Sequence, residues 1–193
     1  MSRATPRRPG RRTRADWVEL GTTLLREEGP AALTVERLTA AAGLTKGSFY
    51  HHFDGIGAFV EALLDAWEEH STESILHAVE ALPPTPERRQ RMADLTYAID
   101  LRLETAVRRL AAGDARTAGR LAEVDARREA AVARIVQEDY RVSEEEAGVV
   151  ARLLYTLHAG VVARAPADPR GFAAPMLALI EAWLGDMASR RGA

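Results

Sequence analysis

Apolar residues recur at intervals of three and four along most of this chain, which is the spacing of one helix face. The first such segment runs from about Thr13 to Glu28, and Gly29 with Pro30 ends it. No strand-like run with alternating β-branched residues stands out. Alanine, leucine, arginine and glutamate dominate the composition, and it therefore favours helix as well. We predict an all-α fold.

A short helical segment follows, and its boundaries are marked by polar residues and a glycine. Thr34 can accept a hydrogen bond from an unpaired backbone N–H and so begin a second helix. Gly43 permits the left-handed conformation that ends a helix sharply. Thr45 is the next N-cap candidate and begins a third helix. That helix has few strong helix formers, so we expect Phe49 and Phe53, four residues apart, to anchor it in a core.

Helix, glycine turn and short helix form the helix-turn-helix pattern, whose second helix enters the major groove of DNA. Around the aromatic anchors, the third helix carries polar and amphipathic residues that suit phosphates and base edges. We predict these DNA-binding residues: Arg14, Thr34, Thr45, Lys46, Gly47, Ser48, Tyr50 and His51. An ordinary helical hairpin with an exposed turn is the alternative interpretation of the same residues.

The segment from Thr13 to about Glu69 resembles the DNA-binding domain of the tetracycline-repressor (TetR) family of one-component regulators. The most specific part is the run Thr45-Lys-Gly-Ser-Phe-Tyr-His-His-Phe53. At Ile56 the chain departs from the family, whose members often carry a phosphate-gripping lysine there. The resemblance implies an N-terminal three-helix helix-turn-helix domain and a C-terminal helical domain for effector binding and dimerisation.

Charge is distributed unevenly along the chain, although the net charge is only −2. Residues 1–53 carry nine Lys/Arg and five Asp/Glu, and the remaining residues carry 17 and 23. Six arginines fall in the first 14 residues, without an acid among them. We expect residues 1–12 to form a disordered basic arm. Such an arm either follows phosphates or the minor groove, or is only a solubilising tail.

The remainder of the chain is predicted to form long helices. They cover Ile56–Leu82, Pro86–Ala112, a short segment from Asp114, a longer one to Tyr140, a helix after Ser143 and a last helix ending near Arg190. Pro175 is compatible with the last helix only in its first turn. The apolar surfaces at 149–162 and 176–187 are wider than one core contact needs, which predicts a homodimer. The alternative is a monomer in which these helices are central.

Several classes of chemistry find no support in the sequence. The chain has no cysteine, and its five histidines form no ligand cluster, so we expect neither a metal nor a cofactor. A phosphate-binding loop and a nucleophile elbow are both missing. The acidic residues fall at positions that we interpret as solvent-facing, and no enzyme is predicted. Because no stretch of about 18 apolar residues and no signal peptide occurs, we expect a cytoplasmic protein without membrane contact.

The predicted function is that of a dimeric DNA-binding transcriptional repressor, released from a palindromic operator by a small, mostly apolar ligand. Residues 13–55 would bind DNA, and residues 56–193 would bind the effector and dimerise. The candidate effector-binding residues are His77, Met92, Thr96, Ile99, Leu103, Tyr155 and His158. Thr96 and His158 are included because they interrupt apolar stripes, although core packing is the plainer interpretation of all seven. The alternatives are a helical small-molecule-binding protein without operator binding, and an enzyme with a site assembled across helices.

Overall fold

A computed structural model describes residues 12–191, apart from the side chains of residues 190 and 191, and this part of the chain is helical with no strand. The predicted all-α fold is therefore confirmed. Residues 1–11, most of the predicted basic arm, lie outside the described residues. The helices are α1 (Arg14–Glu28), α2 (Val35–Ala42), α3 (Lys46–Tyr50), α4 (Ile56–Glu68), α5 (Ser74–Glu80), α6 (Pro86–Ala98), α7 (Leu101–Gly113), α8 (Ala115–Tyr140), α9 (Glu144–Arg164) and α10 (Pro169–Arg191). A 3₁₀ turn at Pro30–Ala32 follows α1, and a π-helical segment at Glu69–Glu73 joins α4 to α5.

Side-chain caps begin the first three helices. Thr13 and Asp16 form a reciprocal capping box at the start of α1, with bonds of 3.1 and 2.8 Å. The Thr34 hydroxyl accepts from a backbone N–H of α2 at 3.1 Å, and the Thr45 hydroxyl does the same in α3 at 3.4 Å. Gly43 ends α2 with φ at +65°, in the left-handed region. The caps at Thr34 and Thr45 and the turn at Gly43 are as predicted.

An aromatic cluster forms the core of the N-terminal helices. Phe49 is fully buried and Phe53 is 3% exposed, as predicted. The Phe49 ring lies 5.6 Å from Trp17 in α1 and 5.3 Å from Phe53, measured between ring centroids. Phe59 in α4 completes the cluster at 5.1 Å from Phe53. Edge-on and tilted contacts of this kind add to the burial of the rings and hold α3 in place.

The chain divides into two compact units, one up to Ala66 and the other from Trp67 onward. The division falls within α4, two residues before that helix ends. The predicted functional division, with DNA binding at 13–55 and effector binding from residue 56, stays a prediction, because compactness alone does not assign a function.

The predicted single helix from Pro86 to Ala112 is wrong, because the chain breaks between α6 and α7. Ile99 is extended, with ψ at 158°. Asp100 then caps α7, since its Oδ1 accepts from the backbone nitrogens of Arg102 and Leu103 at 3.0 and 3.1 Å. The hydrophobic spacing continues across the break, so periodicity alone conceals it.

Two further expectations about the second unit are wrong. The predicted short helix after Asp114 is part of α8, a 26-residue helix that Asp114 caps by accepting from the Thr117 backbone at 2.7 Å. Pro175 lies well beyond the first turn of α10, which begins at Pro169. The helix therefore tolerates the loss of one internal backbone donor.

α9 takes part in two clusters of buried apolar residues in the second unit. One cluster contains Tyr97, Leu101, Val161, Val162 and Ala173. The other contains Val136, Val142, Ala147, Val150 and Leu184. Most of the wide apolar surface of α9 is thus covered by the chain's own helices.

A substitution at Gly21 tests the packing of α1 against α4. A Cβ atom there would lie 2.2 Å from Cζ of Phe59, so the ring of this fully buried residue would have to shift within the core. We expect Gly21→Ala to lower the free energy of unfolding by about 1–3 kcal/mol, as overpacked cores do. The control is Gly57→Ala in α4, where nothing lies within 4 Å of the new Cβ. Denaturant unfolding of both variants measures the difference, and equal stabilities would contradict the tight contact.

Candidate functional site

The exposed side of α3 carries most of the predicted DNA-binding residues. Lys46, Gly47 and His51 are exposed, Tyr50 is 54% exposed and Ser48 is half-buried. The ring of Tyr50 packs edge-on against Phe49 at 5.6 Å, which leaves its hydroxyl end toward solvent. The single buried residue of α3 is Phe49, so the helix is held on one side and is available on the other.

The other predicted DNA-binding residues lie at helix starts. Arg14 is the first residue of α1, and its guanidinium lies 5.1 Å from the centroid of the Phe53 ring. Thr34 and Thr45 are exposed, but their hydroxyls already accept the capping bonds of α2 and α3. A hydroxyl that accepts one bond can still donate its own hydrogen to a phosphate oxygen.

Lys46 is the only lysine in the sequence, and it forms an ion pair with Glu36 of α2. The hydrogen bond between the two side chains raises the pKa of Lys46 and lowers the pKa of Glu36. Both side chains are more than half exposed, at 58% and 68%. Exposed pairs of this kind are weak, so Lys46 can exchange Glu36 for another anion.

A cavity of about 160 Å³ lies within the second unit, lined by residues of α5, α6, α8, α9, α10 and the π-helical segment. Its walls are mostly apolar side chains. An engineered apolar cavity of about 150 Å³ takes up benzene, so this volume suits a small organic molecule. Five of the predicted effector residues line it: Met92, Thr96, Ile99, Tyr155 and His158. His77 is exposed and Leu103 is half-buried, and neither belongs to the lining.

A buried carboxylate lies near one end of the cavity. The prediction that the acidic residues face solvent is therefore wrong at this position. Glu104 of α7 is 1% exposed. It accepts hydrogen bonds from Trp67 Nε1 at 3.0 Å, from Arg128 Nη1 at 2.9 Å and from Arg108 Nη2 at 3.1 Å. Burial alone would raise the pKa of Glu104, but the two guanidiniums outweigh it and lower the pKa. Glu104 is therefore ionised at neutral pH.

Arg128 links this carboxylate to the π-helical segment. Its Nε donates to the Thr72 hydroxyl at 2.7 Å and its Nη2 to the Ser71 hydroxyl at 2.8 Å. Its guanidinium also lies 5.0 Å from the centroid of the Trp67 ring. Such π-helical segments are frequent at functional sites. Here the segment turns Ser71 and Thr72 toward both Arg128 and the cavity.

Arg108 connects the same cluster to α8 and α9. It makes two parallel bonds to Asp125, at 3.0 and 3.1 Å, and donates to the Tyr155 hydroxyl at 3.1 Å. Tyr155 in turn donates to Asp125. Burial and this bond raise the pKa of Tyr155. The cluster thus pairs the carboxylates of Glu104 and Asp125 with the guanidiniums of Arg108 and Arg128, and its charges cancel.

His158 of α9 is buried beside this cluster, at 7% exposure, and lines the cavity. Its ring lies 6.2 Å from that of Tyr97 and 6.0 Å from that of Tyr155. Its Nδ1 is buried and has no hydrogen-bond partner among the described residues. Burial and, to a lesser extent, the nearby positive charges of Arg128 and Arg108 lower the pKa of His158 to about 4. The imidazole is neutral at pH 7.

A second charged group lies at the other end of the cavity. Arg88, 4% exposed, is paired with Glu138 and Asp139 of α8. Arg89 stacks on the Tyr140 ring at 4.8 Å. Arg89 and Glu181 line both the cavity and an adjacent surface groove, so this end is the one nearer solvent.

The buried ion cluster is the part of the site that the sequence analysis missed. The only local signals are the spacings of its pairs, four residues for Glu104 and Arg108 and three for Asp125 and Arg128. The same spacings also occur on solvated helix faces. Only the packing of α7, α8 and α9 distinguishes the two cases.

Within the part of the chain that the structure describes, no group of three or more His, Asp or Glu residues is placed to hold a metal ion. In the same residues, no helix is both long and apolar enough to cross a membrane.

Comparison with known proteins identifies the class of the N-terminal unit. Residues 18–63 match the family of bacterial regulatory proteins named the tetR family. The repressor KstR2 of Rhodococcus jostii (strain RHA1) is 40% identical over 60 residues, which are 31% of this chain and 28% of that protein. The repressor DhaR of Mycobacterium sp. (strain GP1) is 36% identical over 72 residues, which are 37% of this chain and 36% of that one. The aligned part therefore spans about a third of these relatives.

Solved structures extend the likeness of fold to nearly the whole chain. The ketosteroid transcriptional regulator KstR2 of Mycobacterium tuberculosis superposes with a TM-score of 0.63 at 18% identity, over 93% of this chain and 98% of that one. The TetR family repressor AlkX of Dietzia sp. strain DQ12-45-1b gives a TM-score of 0.51 at 18% identity, over 92% and 98%. At such identities the likeness concerns the fold alone. The family match therefore covers residues of the N-terminal unit, and the likeness of the rest of the chain to these regulators is one of fold.

The buried neutral histidine has a measurable consequence for stability. An ordinary histidine has a pKa of 6.5, so between about pH 6.5 and 4 the unfolded chain binds a proton that folded His158 does not. The free energy of unfolding therefore decreases as the pH is lowered from 6.5 to about 4, and His158 does not affect it at higher pH. When the pH is lowered from about 7.5 to 5.5, the free energy of unfolding should decrease in both proteins. We expect the decrease to be roughly 1 kcal/mol larger in the native chain than in His158→Gln. Urea unfolding at both pH values measures this, and parallel losses would contradict a neutral buried imidazole.

Proposed function

We propose that this protein is a transcriptional repressor that binds a palindromic operator as a homodimer and is released by a small, mostly apolar ligand. The observation that carries the proposal is the exposed polar side of α3, held by Phe49 inside a unit that matches the tetR family. The proposed place of action is the cytoplasm.

In this proposal the residues of α3 lie against the major groove. Lys46, Tyr50 and His51 contact phosphates or base edges, since they are the exposed polar side chains of α3 and of the residue that ends it. Gly47 lets the backbone approach DNA closely, and Ser48 supplies a hydroxyl. Arg14, Thr34 and Thr45 bind phosphates from the starts of their helices. Residues 13–55 form the DNA-binding domain, and the basic arm at 1–12 adds phosphate contacts.

The effector is proposed to bind in the cavity of the second unit, in a domain that covers residues 56–193. The mostly apolar walls favour a mostly apolar ligand. The five predicted residues that line the cavity are proposed as its contacts, and His77 and Leu103 are not. One structural neighbour is a ketosteroid transcriptional regulator, and the other is a repressor implicated in the biodegradation of n-alkanes. Ketosteroids and n-alkanes are also mostly apolar. Binding there lowers the affinity for the operator.

The homodimer is proposed to form through α9 and α10. Val149 and Leu153, four residues apart on α9, are 48% and 47% exposed. Leu179 and Trp183, with the same spacing on α10, are 73% and 45% exposed. Large apolar side chains that share one face of each helix favour a covering partner, and a second copy covers the same face on both chains. A two-fold dimer presents two copies of α3 to one palindrome.

Operator binding distinguishes this proposal from a helical small-molecule-binding protein without DNA contact, which would have the same cavity. A duplex selected from random DNA by the full chain serves as the operator. We expect Lys46→Ala to weaken binding because a phosphate or base contact is lost. Glu36→Gln should strengthen it, since an acid beside DNA is removed and Lys46 is freed from its partner. Fluorescence anisotropy at two salt concentrations measures both effects.

The two variants are matched, because each removes one partner of the same exposed pair. Their melting temperatures should equal that of the native chain. If both variants changed operator affinity in the same direction, the ion pair itself would matter and Lys46 would not be a DNA contact. If the native chain selected no duplex, the proposed function would be wrong.

A charge on the exposed face of α10 tests the dimer. We expect Leu179→Glu to separate the dimer at micromolar concentration, because the new carboxylate would be desolvated between two copies. The control is Ala122→Glu, a change at an exposed position of α8 that the proposed interface does not include. Light scattering gives the mass of each. A native chain that is monomeric, or a dimer that Leu179→Glu leaves intact, contradicts the proposed interface. Val161→Glu would not test the dimer, because Val161 is buried within its own chain and a charge there would disturb the fold.

A further inference from the structure

We propose that the cavity selects an uncharged hydroxyl group on an otherwise apolar ligand, and that His158 is the residue that recognises it. The inference rests on the proposed function, since it specifies the ligand class of the proposed effector site. It adds a specificity-determining residue and the ligand group that this residue would recognise.

The first argument is the unmade hydrogen bond of His158. The ring is buried, lines the cavity and lies 6.2 Å from the ring of Tyr97 and 6.0 Å from that of Tyr155. Its buried Nδ1 has no partner among the described residues. Buried polar groups in folded proteins are nearly always hydrogen-bonded, and an exception calls for an explanation. A ligand atom in the cavity provides one.

The second argument is that the nearby charges are already used. Arg128 directs Nε to Thr72, Nη1 to Glu104 and Nη2 to Ser71. Glu104 and Asp125 balance Arg108 and Arg128. Arg108 has a buried Nε without a partner, but Arg108 does not line the cavity. Among the described lining residues at this end, an anionic ligand group would therefore find no uncommitted cation, and its burial without one is costly. A cationic group would compete with two guanidiniums for the same carboxylates.

The third argument concerns the kind of neutral group. A neutral imidazole has one N–H donor and one acceptor nitrogen, and the low pKa keeps His158 in that form at pH 7. A hydroxyl both donates and accepts, so it can pair with either ring nitrogen. Tyr155 does not compete for the ligand, because its hydroxyl donates to Asp125 and accepts from Arg108. Thr96 and Tyr97 add further hydroxyls to the lining, and these are uncharged as well.

Three probes of nearly equal shape separate these possibilities: naphthalene, 2-naphthol and 2-naphthoate. Equilibrium dialysis against the full chain at pH 7 gives a dissociation constant for each. We expect 2-naphthol to bind about tenfold more tightly than naphthalene, which is the effect of one good hydrogen bond worth roughly 1.4 kcal/mol. We expect 2-naphthoate to bind most weakly of the three.

Two substitutions assign the preference to His158. His158→Leu should bind naphthalene about as well as the native chain and lose the preference for 2-naphthol. His158→Gln keeps a neutral donor and acceptor and should retain part of that preference. Met92→Leu, at an apolar position of the lining, is the matched control and should change all three affinities alike. If His158 only filled space, its variants would also shift the three probes together.

Several outcomes would overturn the inference. Equal binding of naphthalene and 2-naphthol by the native chain would show that no hydroxyl is read. Tightest binding of 2-naphthoate would place recognition at Arg89, near the solvent end of the cavity. No binding of any probe would exclude the cavity as a site for such molecules. If His158→Leu failed to fold, the comparison of the three probes on the native chain and on His158→Gln would still decide. Operator binding of the same preparation is measured separately, so failure here and failure of the proposed function are distinguishable.

Discussion

Glu104 is the constraint around which the second unit is organised. One carboxylate with a fully buried side chain accepts hydrogen bonds from α4, α7 and α8, through Trp67, Arg108 and Arg128. A buried carboxylate is tolerated only when it is paired and hydrogen-bonded, and removal of one partner from such a pair costs about 3–5 kcal/mol. Within the second unit, Trp67 and the helices α7 and α8 are therefore held to one carboxylate. The cluster also sets the boundary of the cavity, because Arg128 and Tyr155 belong to both the cluster and the lining.

The way in which the cluster is satisfied decides the character of the cavity. The guanidiniums and carboxylates of the cluster are paired with each other. The end of the cavity beside them is therefore polar but carries no net charge. His158 is not part of these ion pairs. It is buried by its neighbours, and its Nδ1 has no hydrogen-bond partner among the described residues. The same burial explains its low pKa and leaves Nδ1 without a partner. The pH dependence of stability and the proposed ligand selectivity therefore both involve His158.

The first unit follows a different logic, in which aromatic packing substitutes for helix propensity. α3 has only five residues and includes Gly47, so it would not persist alone. Phe49 holds it against Trp17, Phe53 and Phe59. Since one buried residue suffices to fix the helix, the others are free to face solvent. A weak helix former such as glycine becomes acceptable in a position where DNA would approach.

The sequence by itself determined the local features of this protein. The caps at Thr34 and Thr45 and the turn at Gly43 depend on residues close in the chain, and they are as predicted. The burial of Phe49 was also predicted, because it is a large apolar residue in a helix of polar ones, although its partner Trp17 is distant in sequence. The tertiary structure alone decided where charges are buried. Glu104 and Arg108 have the spacing of an exposed pair, and Asp100 breaks a helix whose apolar repeat continues past it. Burial of an ion depends on residues far away in sequence, such as Trp67 and Arg128, and no local pattern records that they meet.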